Sequence, residues 1–378
     1  MTISTYQRWR ALRATSLLCG LAWLTGCSSG GGSSNSTGNL QSLVNQTQIA
    51  QGLPGLAAAI ISSDKIQVSV AGVRKVGAPD VISESDRFHL GSNTKAMTAT
   101  LAATLVESGV IAWDSTLSGI FPELVASMRS EYQNVTLAQL LTHRGGIIAL
   151  TDPADIATVP AAFLAPNASR MAITQWLLQQ PPAVAPGTTA LYSNAGYAIA
   201  GAMLERKAGQ AYEALLNTMV LQPLEITPTF GWPAASGAAQ PVGHELVGTS
   251  WVPSDPDAAA NQFPTAFTPA GNVSLNIGDY AKFVQSHMRG LRGLTGYLSP
   301  QTYTYLHTSQ GDYALGWLVK TLNGVLTSSH DGSAGTFYAL VAIQPSRDRA
   351  VVVLCNGYSV ALANAANALA LKLLEVPL

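Results

Sequence analysis

In Ser92-Asn93-Thr94-Lys95 a hydroxyl and an amine stand three residues apart, a spacing that puts both on one face of a helix. A serine hydroxyl is a weak nucleophile until a base removes its proton, and a lysine relieved of its charge by burial can be that base. The chemistry this predicts is attack on a carbonyl through a covalent acyl intermediate. The same pattern recurs at Ser62 and Lys65, but there it falls on a polar turn, where the pair is not held on a common face and the lysine is expected in water. Ser92 instead follows Gly91 and opens an apolar helical stretch. Its backbone N–H therefore lies at a helix N-terminus, where developing negative charge is favoured.

Two further sets could complete such a site. Tyr192-Ser193-Asn194 offers a phenol able to relay protons and an amide able to bind a substrate carbonyl. It follows Pro186-Gly187-Thr188 and runs into an apolar helix, a loop tip on a rigid mount. Tyr132-Gln133-Asn134 repeats the pattern but lies in a polar connection. His330-Asp331-Gly332, followed by Ser333-Ala334-Gly335, precedes a strand expected from Thr336, and its small residues would let a substrate backbone approach. His89-Leu90-Gly91 and His143-Arg144-Gly145 share the H-x-G spacing. His143 is read as ending a helix and bonding loop carbonyls. Trp232, Trp251 and Phe263 are read either as lining a cleft or as packing beneath a long loop.

The elements that must position these residues follow from periodicity. A helix is expected over Leu40–Gln51, a hairpin from Leu56–Ser62 and Ile66–Val73, and a helix from Ser92 to Ser108 buried along one face. Helices follow over Thr136–Thr142, Ile173–Gln179, Asn194–Ala208 and Tyr212–Val220, broken by Pro/Gly-rich loops. Between Pro223 and Gly271 little periodicity remains, and an irregular excursion is expected. A helix over Gly278–Met288, strands over Tyr313–Thr321, Thr336–Ile343 and Arg349–Leu354, and a closing helix over Ala361–Leu374 complete the chain. Strands at both ends thus flank a helical insertion.

Composition narrows the partners. The 378 residues suffice for one large domain or two subdomains, and a net charge of −1 without clustered cations gives nucleic acid no footprint. Beyond the N-terminus no apolar run approaches the ~20 residues of a spanning helix. Residues 1–26 read as an export signal, with Arg8, Arg10 and Arg13 ahead of an apolar run. The signal ends in Leu24-Thr25-Gly26-Cys27, which resembles the lipobox of bacterial lipoproteins. A Gly/Ser tether, residues 27–38, follows. The expectation is an exported protein held by lipid on Cys27, at the outer membrane facing the periplasm, and monomeric. Cys355 remains alone in an apolar run and is expected buried and inert. His244-Glu245 begins like a zinc-binding helix motif, but Gly248 replaces the second histidine, so no metal or other cofactor is expected.

S-N-T-K, then Y-S-N, then H-D-G, in this order and at these spacings, resembles the β-lactamase-related serine hydrolases, which include class C β-lactamases, penicillin-binding DD-peptidases and esterases. Leu140-Leu141-Thr142-His143, the run from Pro186 to Tyr197, and Leu315-Gly316-Trp317 extend the likeness from about Leu40 to the C-terminus. The resemblance implies a β-lactamase/transpeptidase-like fold, α/β plus α: an antiparallel sheet with terminal helices, formed by residues 39–90 and about 275–378, and a helical subdomain over about 91–274. It implies Ser92 as nucleophile, Lys95 as base or proton relay, Tyr192 as partner base and Asn194 as substrate anchor. His330 stands where many relatives carry lysine, and would polarise Tyr192 or orient substrate. The amides of Ser92 and Ser333, beside Gly332, would form the oxyanion hole. Asp331 replaces the usual threonine, and if it faced the cleft it would repel a substrate carboxylate and disfavour β-lactam turnover. The expected activity is cleavage of an ester or of a peptide-type amide. The alternatives are a class C-type β-lactamase and a penicillin-binding sensor that does not turn over.

Overall fold

The computed structural model describes residues 36–236, 239–255, 263–309, 311 and 313–377. The export signal, Cys27 and most of the tether lie outside them. Within the described residues no helix is long and apolar enough to cross a membrane.

The sequence opens with helix α1 (Ser36–Ala50) and a hairpin of strands β1 (Gly55–Ile61) and β2 (Ile66–Gly72). Short strands β3 (Arg87–His89), β4 (Thr229–Phe230), β5 (His244–Val247), β6 (Ser250–Pro253) and β7 (Val273–Asn276) are spread through the middle. Strands β8 (Leu318–Leu322), β9 (Val325–Ser333), β10 (Tyr338–Gln344) and β11 (Arg349–Cys355) close the chain. The main sheet runs β2-β1-β11-β10-β9-β8 with every neighbouring pair antiparallel. β1 and β10 are buried along their whole length, and β11 along all but its first residue, because each is a nearly unbroken apolar run covered on both faces.

Side-chain alternation sorts the sheet into two layers. Leu56, Ala58 and Ile60 of β1 join Val351, Val353 and Cys355 against α1 and the closing helix Val360–Leu374. Ala57, Ala59 and Ile61 face the larger core, which holds the helix Thr94–Glu107 (α2) and most of the helical insertion. That insertion supplies α3 (Leu137–Leu141), started by a Thr136/Gln139 capping box, and α4 (Asn194–Ala208), capped by Ser193 and ended by Gly209 at φ 70°. Helix α5 (Ile277–Leu291) packs back on β1, β10 and β11, and Val360–Leu374 is α6.

Four expectations change. Eleven of the 14 residues of α2 are buried, so the helix is enclosed rather than packed along one face. Its threonines permit this by bonding internally, Thr98 to the carbonyls of Thr94 and Pro269 and Thr100 to that of Ala96. The segment from Pro223 to Gly271 is not structureless: it carries β4 and the β5–β6 hairpin. The strand expected from Tyr313 begins at Leu318, since Gly316 at φ 80° turns the chain to lie on α2. His330 lies inside a strand of its own, β9, with the strand expected from Thr336 following as β10; the polar run Thr327–Ser329 hides the alternation of β9.

Candidate active site

Ser92 sits in a single 3-10 turn, Gly91–Asn93, that leads into α2 and carries Lys95 one turn on. Two glycines let β9 press against this turn. A Cβ on Gly332 would fall 2.4 Å from Leu90 O and 2.5 Å from Ser92 N, and one on Gly91 would fall 2.6 Å from Ser333 N. Gly91 also takes φ 52°, which favours glycine. The close approach brings the amides of Ser92 and Ser333 into one small space, where two donors can meet a developing oxyanion. His89 fixes the turn from below: its Nδ1 accepts from Gly91 N–H at 3.2 Å, so its proton is on Nε2, which reaches Asn272 Oδ1 at 3.2 Å.

Lys95 is fully buried. Its Nζ lies 2.7 Å from Asn194 Oδ1, 2.7 Å from Ala270 O and 3.1 Å from Ser92 Oγ. The first two partners only accept, so they take two N–H bonds; the third position is free to accept the Ser92 proton if the amine is neutral. Burial favours that form, pushing the ammonium well below its ordinary range. The rival pair behaves differently: Lys65 is exposed at the β1–β2 turn, and Ser62 Oγ bonds Asp64.

Tyr192 and Asn194 flank the cap of α4. Asn194 Nδ2 gives one hydrogen to Leu150 O at 3.0 Å and retains a second for a substrate carbonyl. The Tyr192 ring lies 4.7 Å from Lys95 Nζ. Its hydroxyl oxygen is covered and close enough to Ser92 to interact, yet forms no hydrogen bond of normal geometry. Burial pushes this phenol above its ordinary range. Tyr132 of the rival Y-x-N motif is core, not polar connection, with its phenol raised by burial to about 12.

His330 makes no hydrogen bond to the Tyr192 hydroxyl, although the two rings pack with centroids 6.3 Å apart. Its Nδ1 lies 2.6 Å from Asp331 O, a carbonyl, so Nδ1 carries the proton and the bare Nε2 accepts from Tyr313 OH at 2.9 Å. Burial first, and then the Lys95 charge, push this imidazole down to about 3. Asp331 pairs across the sheet with Leu340, on the face away from His330, and Tyr338 OH donates to its Oδ2 at 3.5 Å. Burial lifts its carboxyl to about 6. The condition for its repelling a substrate carboxylate, that it face the cleft beside His330, is therefore not met.

The sequence profile described as Beta-lactamase matches residues 40–375. The chain belongs to the beta-lactamase family. This beta-lactamase family member is 24% identical over 323 residues to penicillin-binding protein 4 of Amycolatopsis lactamdurans, covering 81% of each chain. It is 23% identical over 338 residues to the unguisins hydrolase ungD of Aspergillus violaceofuscus, covering 80% of this chain but 58% of that one. Among solved structures, the D-alanine carboxypeptidase AmpC from Burkholderia cenocepacia superposes with a TM-score of 0.70 over 89% of this chain and 99% of that one. At 22% identity that likeness concerns the fold.

Three parts of the site escape the sequence reading of this family member. Ala270 contributes only a backbone carbonyl, which no residue type announces. Tyr313 stands in an irregular stretch, delivered to His330 because Gly316 packs within 2.6 Å, at its Cβ position, of Ala96 Cα. His143 was assigned to loop carbonyls, yet its Nδ1 accepts from Ser193 N–H and its ring lies against Tyr192. Trp232 and Phe263 pack on His89, whereas Trp251 packs on the α6 side.

Proposed function

We propose that this beta-lactamase family protein is a serine hydrolase that forms an acyl-enzyme on Ser92 and cleaves an ester or a peptide-type amide. The observation that carries the reading is the three-point seating of Lys95: two pure acceptors hold its N–H groups and leave its lone pair for Ser92 Oγ at 3.1 Å. In the first step Lys95 takes the hydroxyl proton as Ser92 Oγ bonds the carbonyl carbon, and the oxyanion forms between the Ser92 and Ser333 amides. As the leaving group departs it receives that proton through Lys95 and Tyr192. Water then attacks the acyl carbon, and the same groups remove its proton and return one to Ser92.

His330 supports a substrate without a carboxylate at the reacting end. Both its nitrogens are committed and its imidazole is neutral, so it brings no cation where many relatives carry lysine. With Asp331 turned from the cleft, β-lactam turnover is disfavoured only by this missing charge.

Labelling with a fluorophosphonate and with a fluorescent penicillin tests the reading, with Ser92→Ala as control. Wild-type labelling that the mutant loses, together with turnover of nitrophenyl esters or D-amino-acid amides, is expected. Equal labelling of Ser92→Ala would remove Ser92 as the nucleophile. Penicillin labelling that persists without product release would favour the sensor, and fast nitrocefin hydrolysis the β-lactamase.

A further inference from the structure

His143 ends α3 in the left-handed region at φ 60°, a conformation that strains a non-glycine residue and persists where surrounding contacts demand it. Those contacts bracket Tyr192. The His143 carbonyl accepts from Leu191 N–H at 2.8 Å, and its Nδ1 accepts from Ser193 N–H at 3.1 Å. Between these two anchors the Tyr192 ring lies 4.3 Å from the imidazole, centroid to centroid, and Tyr313 packs at 4.5 Å on the same ring.

His89 satisfies both nitrogens, with Gly91 N–H and Asn272, and so does His244, with Asn356 O and Val76 N–H. His143 does not. Accepting at Nδ1 obliges its proton to sit on Nε2, and that nitrogen is buried without a partner. Its complete burial holds the ring neutral, so Nδ1 stays available as an acceptor.

We propose that His143 is a positioning residue for the reaction: by holding the amides on either side of Tyr192 and packing on its ring, it sets the phenol against Ser92. This rests on the assignment of Tyr192 as proton relay. The acceptor on the imidazole is the part the backbone cannot replace, because the His143 carbonyl already serves Leu191.

Gly and Asn both tolerate φ 60°, so the test separates the acceptor from backbone strain. Asn places its Oδ1 where Nδ1 stood; Gly places nothing. His143→Gly is expected to lower kcat for a nitrophenyl ester about 10–100-fold with KM within about threefold, since misplacement near 1 Å costs about that much. His143→Asn should recover most of the loss, and amide exchange at Ser193 should be fast in His143→Gly and slow again in His143→Asn. In a Tyr192→Phe background, His143→Gly should change kcat by less than about twofold. Slow exchange at Ser193 in His143→Gly, an Asn variant as impaired as Gly, or additive losses in the double variant would each overturn the proposal. Wild-type activity in Tyr192→Phe would instead overturn the role of Tyr192, and with it the catalytic purpose of the clamp, even if the exchange data showed the clamp itself.

Discussion

Replacing Gly332 by alanine puts the proposed oxyanion hole to its sharpest test, because one methyl group acts on its backbone while the side chains of Ser92, Lys95 and Tyr192 stay as they are. The new Cβ would lie 2.5 Å from Ser92 N and 2.4 Å from Leu90 O, both backbone atoms, against an ordinary contact of 3.4 Å or more. β9 must therefore retreat from the Ser92 turn by about 1 Å, or the turn must open by as much. Either movement separates the Ser92 and Ser333 amides. Losing one such donor costs about 10²–10³ in kcat, some 3–4 kcal/mol of transition-state stabilisation, while ground-state binding changes little. Steady-state hydrolysis of a nitrophenyl ester is the assay, with thermal melting and circular dichroism to confirm an intact fold. Expected is a fall in kcat of at least about 10²-fold at nearly unchanged KM. A folded Gly332→Ala variant within about threefold of wild type would refute the inference that these amides form the hole.

Two further outcomes follow from the buried charges. Lys95→Arg replaces a base with a guanidinium that stays protonated, so esterase activity should fall at least about 10²-fold at every pH from 5 to 10, whereas wild-type activity should be lost only as pH falls through the lowered Lys95 pKa; recovery of the variant at high pH would exclude Lys95 as the base. The Asp331 carboxyl rises from 3.8 to about 6 on folding, so its buried charge is absent below the first value and weighs fully above the second, an upper bound of about 3 kcal/mol. Asp331→Asn should therefore raise thermal stability at pH 8 and change it little at pH 4, and a variant less stable than wild type at pH 8 by melting would show that the carboxylate is needed there.

The elements rich in apolar periodicity were legible in the sequence. The β1–β2 hairpin, α4, α6 and the strands β10 and β11 fall within a few residues of expectation, since each is a long pattern with clear breakers such as Ser63-Asp64-Lys65 and Gly209. β9 was not legible, because its outer half is Thr327, Ser328 and Ser329, and its inner half carries the H-D-G run. The nucleophile and base could be chosen over their duplicate because Lys65 falls on an exposed polar turn whereas Lys95 falls in an apolar helix that buries it. Tyr313 and Ala270 could not, since what brings them to the site is the tertiary approach of Gly316 to α2 and the seating of the Thr268–Gly271 turn against Lys95.

The histidines show why residue type alone misleads at such a site. His89, His143 and His330 all stand in H-x-G contexts, and each is held as a neutral ring with a single tautomer by a backbone partner: Gly91 N–H, Ser193 N–H and Asp331 O respectively. A proton added to His143 or His330 would place a cation beside Lys95 in a desolvated space, where its field would lower the basicity of the amine further. Backbone bonding and burial together prevent this, and so keep Lys95 free of any histidine titration in the neutral range. The amine is then set by its own burial and three neighbours, which makes its basicity a property of how tightly β9, α4 and the Ala270 turn close upon it.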